Sequence, residues 1–246
     1  MGDQVLGGSN PLAEAAQRRL RRWLDRERLR EQLERGRSAE HVAERSGPYV
    51  TISREEGAGG SEIARLVGER LGWDVLDREL LDYIAEHHHL PRNVLEFVDE
   101  TTANWLHEAF SNLIDRQVIS QQAYVKRLGS VVLLAAYHGK VVLVGRGAQF
   151  LLPGENGFAV RVLASEPYRI EQVMQRDRVD RQTARNLIEE REQGRRDFVK
   201  RYFRRDLTDP HLYDLTINVE KHGPAGVADL IVTAVTSWLE RTGRRD

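Results

Sequence analysis

Tyr49-Val50-Thr51-Ile52-Ser53-Arg54-Glu55-Glu56-Gly57-Ala58-Gly59-Gly60-Ser61-Glu62-Ile63-Ala64 reads as a buried strand, a glycine-rich turn and the opening of a helix. Such a turn offers unpaired backbone N–H groups and the positive end of a helix dipole to whatever sits in it. A phosphate suits both, being anionic and able to accept several hydrogen bonds. The phosphate-loop template G-x-x-x-x-G-K-[ST] is met only in part. Gly59 and Ser61 fit it, whereas Arg54 stands at its first glycine and Gly60 at its lysine. Gly57, Gly59 and Gly60 permit positive φ and close backbone approach. Ser61 has two readings, an N-cap of the following helix or a hydroxyl on nucleotide-bound Mg²⁺. Arg54 is a candidate for part of the missing lysine's charge.

On the N-terminal side of this stretch the composition changes. Between about Pro11 and Glu44 the chain carries Arg18, Arg19, Arg21, Arg22, Arg26, Arg28 and Arg30 among Glu27, Glu31 and Glu34. Leu20, Trp23, Leu24, Leu29 and Leu33 recur at helical spacing, which predicts a helical extension over residues 1–46, with a break near Gly36. Its leucine stripe could dock on the core, form a dimer or meet a protein partner. The acidic residues largely cancel the arginines, which argues against nucleic acid.

On the other side, apolar runs alternate with helical patterns. Strands are expected at Tyr49–Ser53, Trp73–Asp77, Val141–Val144, Ala159–Leu163 and Leu215–Val219. Helices are expected at Ser61–Leu71, Arg78–His88, Pro91–Phe97, Thr102–His138, Glu166–Asp177, Asp180–Tyr202 and Pro224–Arg241. Val- and Ile-rich strands separated by helices predict a parallel sheet covered on both faces, an α/β fold whose ligands bind beyond the carboxyl ends of the strands. Ser53, Asp77 and Gly145-Arg146-Gly147 all fall at such ends. Arg146, flanked by glycines, could clamp a phosphate bidentately or pair with an acidic neighbour. Arg191, Arg195, Arg196, Lys200, Arg201, Arg204 and Arg205 crowd the end of one long helix. They form either a solvated face or a lid that brings charge over transferring phosphates. His87-His88-His89 lacks metal-ligand spacing and reads as a solvated helix end.

The bulk numbers exclude several classes. With 37 Lys and Arg against 38 Asp and Glu, the net charge of −1 gives no electrostatic reason for a nucleic-acid or membrane partner. No cysteine is present, so disulfides, thiol catalysis and thiolate metal sites are absent. No apolar run approaches the roughly 20 residues that span a bilayer. Met1–Leu6 lacks a signal-peptide core, so a cytoplasmic location is expected.

The ordered motifs resemble those of the cytidylate kinase-like family. Thr51–Ala64 is similar to its opening T-I-S-R-E-x-G-S-G-G-x-x-I-A, and Leu76-Asp77-Arg78-Glu79-Leu80-Leu81 to its Y-D-K-E-I-I. Val144-Gly145-Arg146-Gly147-Ala148 follows, and then Asp209-Pro210-His211-Leu212-Tyr213-Asp214-Leu215-Thr216-Ile217-Asn218, similar to D-P-x-L-Y-D-L-V-I-N. The resemblance implies a P-loop kinase three-layer fold over residues 47–246. It would have a five-stranded parallel sheet, a helical insertion that binds a nucleoside monophosphate near 78–140, and a lid near 176–206. It implies transfer from ATP, with Mg²⁺, to an acceptor such as CMP. Ser53, Arg54, Gly57, Ala58, Gly59, Gly60 and Ser61 would then hold the donor, with Ser61 toward the metal. Asp77, Arg78, Gly145 and Arg146 would face the acceptor, and Arg146, Arg191, Arg195 and Arg196 would act in catalysis, Arg196 foremost. The chain departs from well-characterised cytidylate kinases at Gly60, Val144, Gly147 and Tyr83, where they carry a Walker cation, two aspartates and an arginine. Those departures leave a second reading: a nucleotide-binding regulator or scaffold, weak in catalysis, engaging a partner through its N-terminal helix.

Overall fold

The structure, a computed structural model, describes residues 10–24, 47–87, 116–152 and 154–244. Its strands are β1 (Tyr49–Arg54), β2 (Asp74–Leu76), β3 (Val141–Val144), β4 (Gly157–Leu163) and β5 (Leu215–Asn218). They form one sheet in the order β2-β3-β1-β4-β5, with every pairing parallel. The helices are α1 (Pro11–Leu24), α2 (Gly60–Leu71), α3 (Arg78–His87), α4 (Arg116–His138), the short α5 (Ala148–Leu151), α6 (Glu166–Asp177), α7 (Arg181–Phe203) and α8 (Gly223–Thr242). The expected helix Pro91–Phe97, the first part of the expected helix Thr102–His138 (residues 102–115) and the expected break near Gly36 lie outside the described residues.

β1 is central, registered on β3 from Tyr49↔Val141 to Ile52↔Val144 and on β4 from Tyr49↔Gly157 to Arg54↔Val162. Both faces of β1 and β3 are covered, which is why Tyr49–Ser53 and Val141–Val144 are buried at successive positions, whereas β4 alternates between buried and half-buried residues. On one face α2 and α8 bring Ile63, Val67, Val227, Ile231 and Val235 onto Val50, Ile52, Val142 and Val160. On the other, α3 and α4 supply Leu80, Leu81, Ile84, Leu128 and Val131. α1 joins this second core. Ala16 and Leu20 are buried in it, Leu12 and Ala15 pack at its edge, and Arg19 reaches Asp74 on β2 at 3.8 Å. Of the readings open for the leucine stripe, docking on the domain's own core is the one adopted by Leu20.

Element ends follow local chemistry. α2 starts after Gly59 and stops at Gly72, both left-handed, at φ 74° and 67°. β2 is shorter than the expected Trp73–Asp77 because its flanks are engaged in caps. The Trp73 N–H closes the end of α2 on Gly68 O, and the Asp77 carboxylate accepts from Leu80 N–H at the start of α3. Asp180 starts α7 by accepting from the N–H groups of Gln182 and Thr183. β4 begins two residues before the expected Ala159 because Gly157 lies under the ring of Tyr49, its cross-strand partner.

A Cβ on Gly157 would come within 2.2 Å of that ring, which is itself only 2% exposed. Gly157→Ala is therefore expected to cost about 1–3 kcal/mol, the range for overpacking. Urea unfolding should show a lower midpoint with an unchanged slope.

Candidate functional site

The strand order sets the carboxyl ends of β2, β3, β1 and β4 side by side, so Asp77, Gly145, Ser53 and Arg161 border one crevice. The glycine loop enters it between β1 and α2. Gly57 has φ 86° and its Cα faces the Arg169 backbone, where a Cβ would lie 2.6 Å from the carbonyl oxygen. A side chain is thus excluded twice, by conformation and by space. α2 begins at Gly60 with no side-chain cap. Ser61 is consequently not the N-cap that one reading allowed; it sits in the first helical turn with its side chain exposed. The first N–H groups of any helix lack intrahelical partners, and here nothing from Gly59 or Ser61 caps them.

The side chain of Arg54 crosses this helix start. Its stem passes over Gly60, where a Cβ would lie 2.5 Å from Cγ, and its guanidinium lies on Gly145, where a Cβ would lie 2.1 Å from Nη1. Loss of solvent pulls the guanidinium down to about 10, helped by the charges of Arg195, Arg78 and Arg146 and opposed by Glu56. It remains a cation at neutral pH.

α7 lies across the loop and brings in the lid candidates. Glu56, in the middle of the loop, accepts from Arg176 Nη2 at 2.9 Å, Arg191 Nη1 at 3.0 Å and Arg195 Nη2 at 3.1 Å. Arg195 also donates to the carbonyl of Arg54. Burial by itself would raise the Glu56 carboxyl, but the hydrogen bonds and charges of these arginines outweigh it and hold the group below its ordinary 4.5. Asp177, hydrogen-bonded first by Arg176 and then by Arg191, is lowered to about 2. Glu192 joins loop and helices from the other side, accepting from Glu56 N–H at 3.0 Å and Arg169 Nη1 at 2.8 Å. Arg196 is half-exposed, with Glu192 at 3.5 Å and Gln193 at 3.0 Å. Ser53, Arg54, Arg161, Arg195 and Arg196, with the carboxylates Glu55 and Glu192, line a cleft of about 70 Å³ between the loop and α7.

A larger cavity of about 680 Å³ opens beyond β3, lined by Glu86, Tyr124, Arg146, Gly194, Asp197, Phe198, Lys200, Arg201 and Tyr202. Arg146 borders it in the left-handed conformation, φ 53°, between Gly145 and Gly147. Of its two readings, pairing with an acid is realised: Nε donates to Asp82 Oδ1 at 2.8 Å and Nη2 to Oδ2. Tyr124 donates to the same Oδ1 at 2.6 Å. Burial would lower the Arg146 guanidinium, but Asp82 raises it instead, while burial and Asp82 together raise the Tyr124 phenol. Tyr124 and Phe198 rings each lie 5.9 Å from the guanidinium carbon. Arg78 is 3.7 Å from Asp82, and Asp77 is used as the cap of α3. The Asp209–Asn218 motif also gains a structural meaning. Asp214 exchanges hydrogen bonds with the backbone of Ala159, and Tyr213 is brought to 3.4 Å from Ser53 Oγ.

The residues picked from sequence therefore fall in two places. Ser53, Arg54, Gly57, Ala58, Gly59, Gly60, Ser61, Arg191, Arg195 and Arg196 gather at the loop, while Asp77, Arg78, Gly145 and Arg146 border the β2–β3 side. Glu56, Asp82, Tyr124, Arg161, Arg176 and Glu192 escaped the sequence reading. An i,i+4 relation to Arg78 signals Asp82, and a lone charge within β4 signals Arg161. Tyr124 carries no local signal at all.

The residues present fit a phosphate chain, through the glycine loop and its arginines. Mg²⁺ finds less: no cluster of three or more His, Cys, Asp or Glu side chains suited to a metal exists among the described residues. Ser61 is the ligand expected from sequence, and without a carboxylate cluster among the described residues an ion here would be carried chiefly by phosphate oxygens and water. Among the described residues, no helix is long and apolar enough to cross a membrane.

A parallel 2-3-1-4-5 sheet with a glycine loop leading from β1 into a covering helix, and an arginine-bearing helix across it, defines a P-loop kinase-type α/β fold. Residues 49–221 match the cytidylate kinase-like family, and the chain belongs to that family. It is 30% identical over 116 residues to a cytidylate kinase of Methanopyrus kandleri, a match covering 44% of this chain and 60% of that one. The chain thus spans about 60% of the length of this curated relative. It is also similar to the crystal structure of an uncharacterized protein from Eubacterium ventriosum. That similarity has a TM-score of 0.62 and 26% identity, covering 77% of this chain and 98% of the other.

Glu56 makes the contact between the loop and α7 pH-dependent. Its folded value lies below its ordinary 4.5, so its stabilisation is complete above about 4.5 and fades as pH falls through the lower folded value. Glu56→Gln should flatten the fall in urea midpoint below pH 4.5. At pH 7 it should cost about 1–3 kcal/mol, less than for a fully buried pair because Arg176 and Arg191 reach solvent.

Proposed function

We propose that this chain is an ATP-dependent phosphotransferase whose acceptor is a nucleoside monophosphate, with CMP the first candidate: ATP + CMP giving ADP + CDP. The observation that carries this reading is the pair of compartments flanking one set of strand ends. On one side the glycine loop, the α2 N-terminus and Arg54 suit an anionic donor; on the other the 680 Å³ cavity combines Arg146, Lys200 and Arg201 with Tyr124, Phe198 and Tyr202. Such a mixture of cations and rings suits a small phosphorylated aromatic ligand. In this reading residues 1–46 are an extension and 47–246 the catalytic domain, with insertion near 78–140 and lid near 176–206.

ATP with Mg²⁺ supplies the transferring group and part of its charge neutralisation. The chain's own residues then position and compensate charge, which is most of what phosphoryl transfer requires. Gly57–Ser61 backbone groups hold the donor phosphates, the Ser61 hydroxyl would be a ligand for the nucleotide's metal, and Asp77, Arg78 and Arg146 orient the acceptor. Arg191, Arg195 and Arg196 close from α7. Arg196, half-exposed and held only by neighbours one turn away on its own helix, needs the least rearrangement to reach a ligand.

A second reading, a nucleotide-binding regulator with little turnover, is favoured by one observation: Glu56 already engages Arg191 and Arg195, the same groups that a donor would need. Coupled ADP release with ATP·Mg²⁺ and a panel of nucleoside monophosphates separates the two. Turnover with CMP, reduced at least about tenfold in Arg196→Ala, supports the kinase. ATP binding by calorimetry without turnover on any acceptor would replace it with the regulator.

A further inference from the structure

We propose that Arg54 is the phosphate-binding cation of this loop, moved from the lysine position of the ordinary template to the end of β1, and that Gly60 and Gly145 form the groove that seats it. This deepens the phosphotransferase reading and rests on it for the identity of the ligand. In the template, glycine stands where this chain has Arg54 and lysine where it has Gly60. The two positions have exchanged their charge.

The geometry makes the exchange mutually exclusive with the usual arrangement. The Arg54 stem occupies the space where any side chain on Gly60 would begin, 2.5 Å from the Cβ position, with Arg54 Cβ at 2.7 Å and Cδ at 3.2 Å. A lysine at 60 and an arginine at 54 cannot both be accommodated there. Further along, the guanidinium needs the bare face of Gly145, which has φ 76° and a Cβ position 2.1 Å from Nη1. Gly60 is thus bare for a steric reason, since the stem beside it cannot move away, while Gly145 is a glycine for its φ of 76° and leaves its face open to the guanidinium.

Electrostatics points the same way. The neighbouring arginines are paired: Arg146 with Asp82, Arg169 with Glu192, and Arg176, Arg191 and Arg195 with Glu56. Arg54 has no hydrogen-bonded or salt-bridged carboxylate among the described residues, although it is half-buried; Glu56 acts on it only through space, against the like charges of Arg195, Arg78 and Arg146. It also lies at the positive end of α2, where a cation is disfavoured. A polyanion would relieve all three costs. A guanidinium there offers a fork of donors, so two phosphate oxygens can be bound at once, unlike the point charge of lysine.

Calorimetry with MgATP and with inorganic tripolyphosphate tests this. Arg54→Ala should weaken both by about ten- to hundredfold, the range for hydrogen bonds to charged groups. Its thermal midpoint should be unchanged or higher, because a cation without a paired carboxylate and beside three other arginines has been removed; an arginine with only a structural role would lose stability instead. Gly60→Lys alone should disturb the loop and weaken binding, whereas Arg54→Gly combined with Gly60→Lys should recover MgATP affinity to within several-fold of the parent. Unchanged binding by Arg54→Ala, or a double variant no better than Gly60→Lys, overturns the proposal. If the parent binds tripolyphosphate through Arg54 but phosphorylates no acceptor, the kinase reading fails while this assignment stands.

Discussion

The carboxylate of Glu56 collects Arg176 from the end of α6 and Arg191 and Arg195 from α7. Those helices are reached only after β4, so this one side chain ties a distant part of the chain to the loop after β1. The contact is reinforced by Glu192, which accepts from the Glu56 N–H and pairs with Arg169, and by Arg195 on the Arg54 carbonyl. Little apolar packing could do this job, because α7 presents mostly charged and exposed residues along its middle. Charge pairing with restricted access to water supplies the coupling instead.

The same device explains how so many arginines tolerate one another. A site for phosphates must be positive when filled, and an unfilled cluster of guanidinium groups repels itself. Glu55, Glu56, Asp82 and Glu192 neutralise most of it from fixed positions. Arg54, without a paired carboxylate among the described residues, and the uncapped start of α2 are left as the positive features there. Free N–H groups at a helix start are what an anion would meet.

Much of the architecture was legible in local pattern. β3 and α6 fall on their expected bounds, and most other described elements shift by one or two residues at their ends; the expected Thr102–His138 helix is described only from Arg116, and the short α5 was not foreseen. The causes of those shifts are contacts that no local pattern encodes: Asp77 is drawn off β2 as a cap, and Gly157 is drawn into β4 beneath Tyr49. Ser61 looked like an N-cap because serine before a helical run commonly is one, yet a left-handed Gly59 fills that place. From sequence Arg146 suits a phosphate clamp first, with an acidic partner as the alternative. Asp82, one helix away, pairs with it and could not be chosen from spacing in the sequence.

By itself the sequence determined the α/β class, the parallel sheet, the position of the glycine loop and the strand ends that border the crevice. These follow from short-range rules: apolar runs for strands buried on both faces, helical periodicity between them, and glycines where the backbone must turn. The tertiary structure alone decided which charges meet. Arg54 lies across Gly60 and Gly145, Glu56 meets arginines more than a hundred positions away, and Tyr124 meets Asp82 and Arg146. Long flexible side chains on separate elements can pair in many ways on paper; only the strand order and the crossing of α7 over the loop select one.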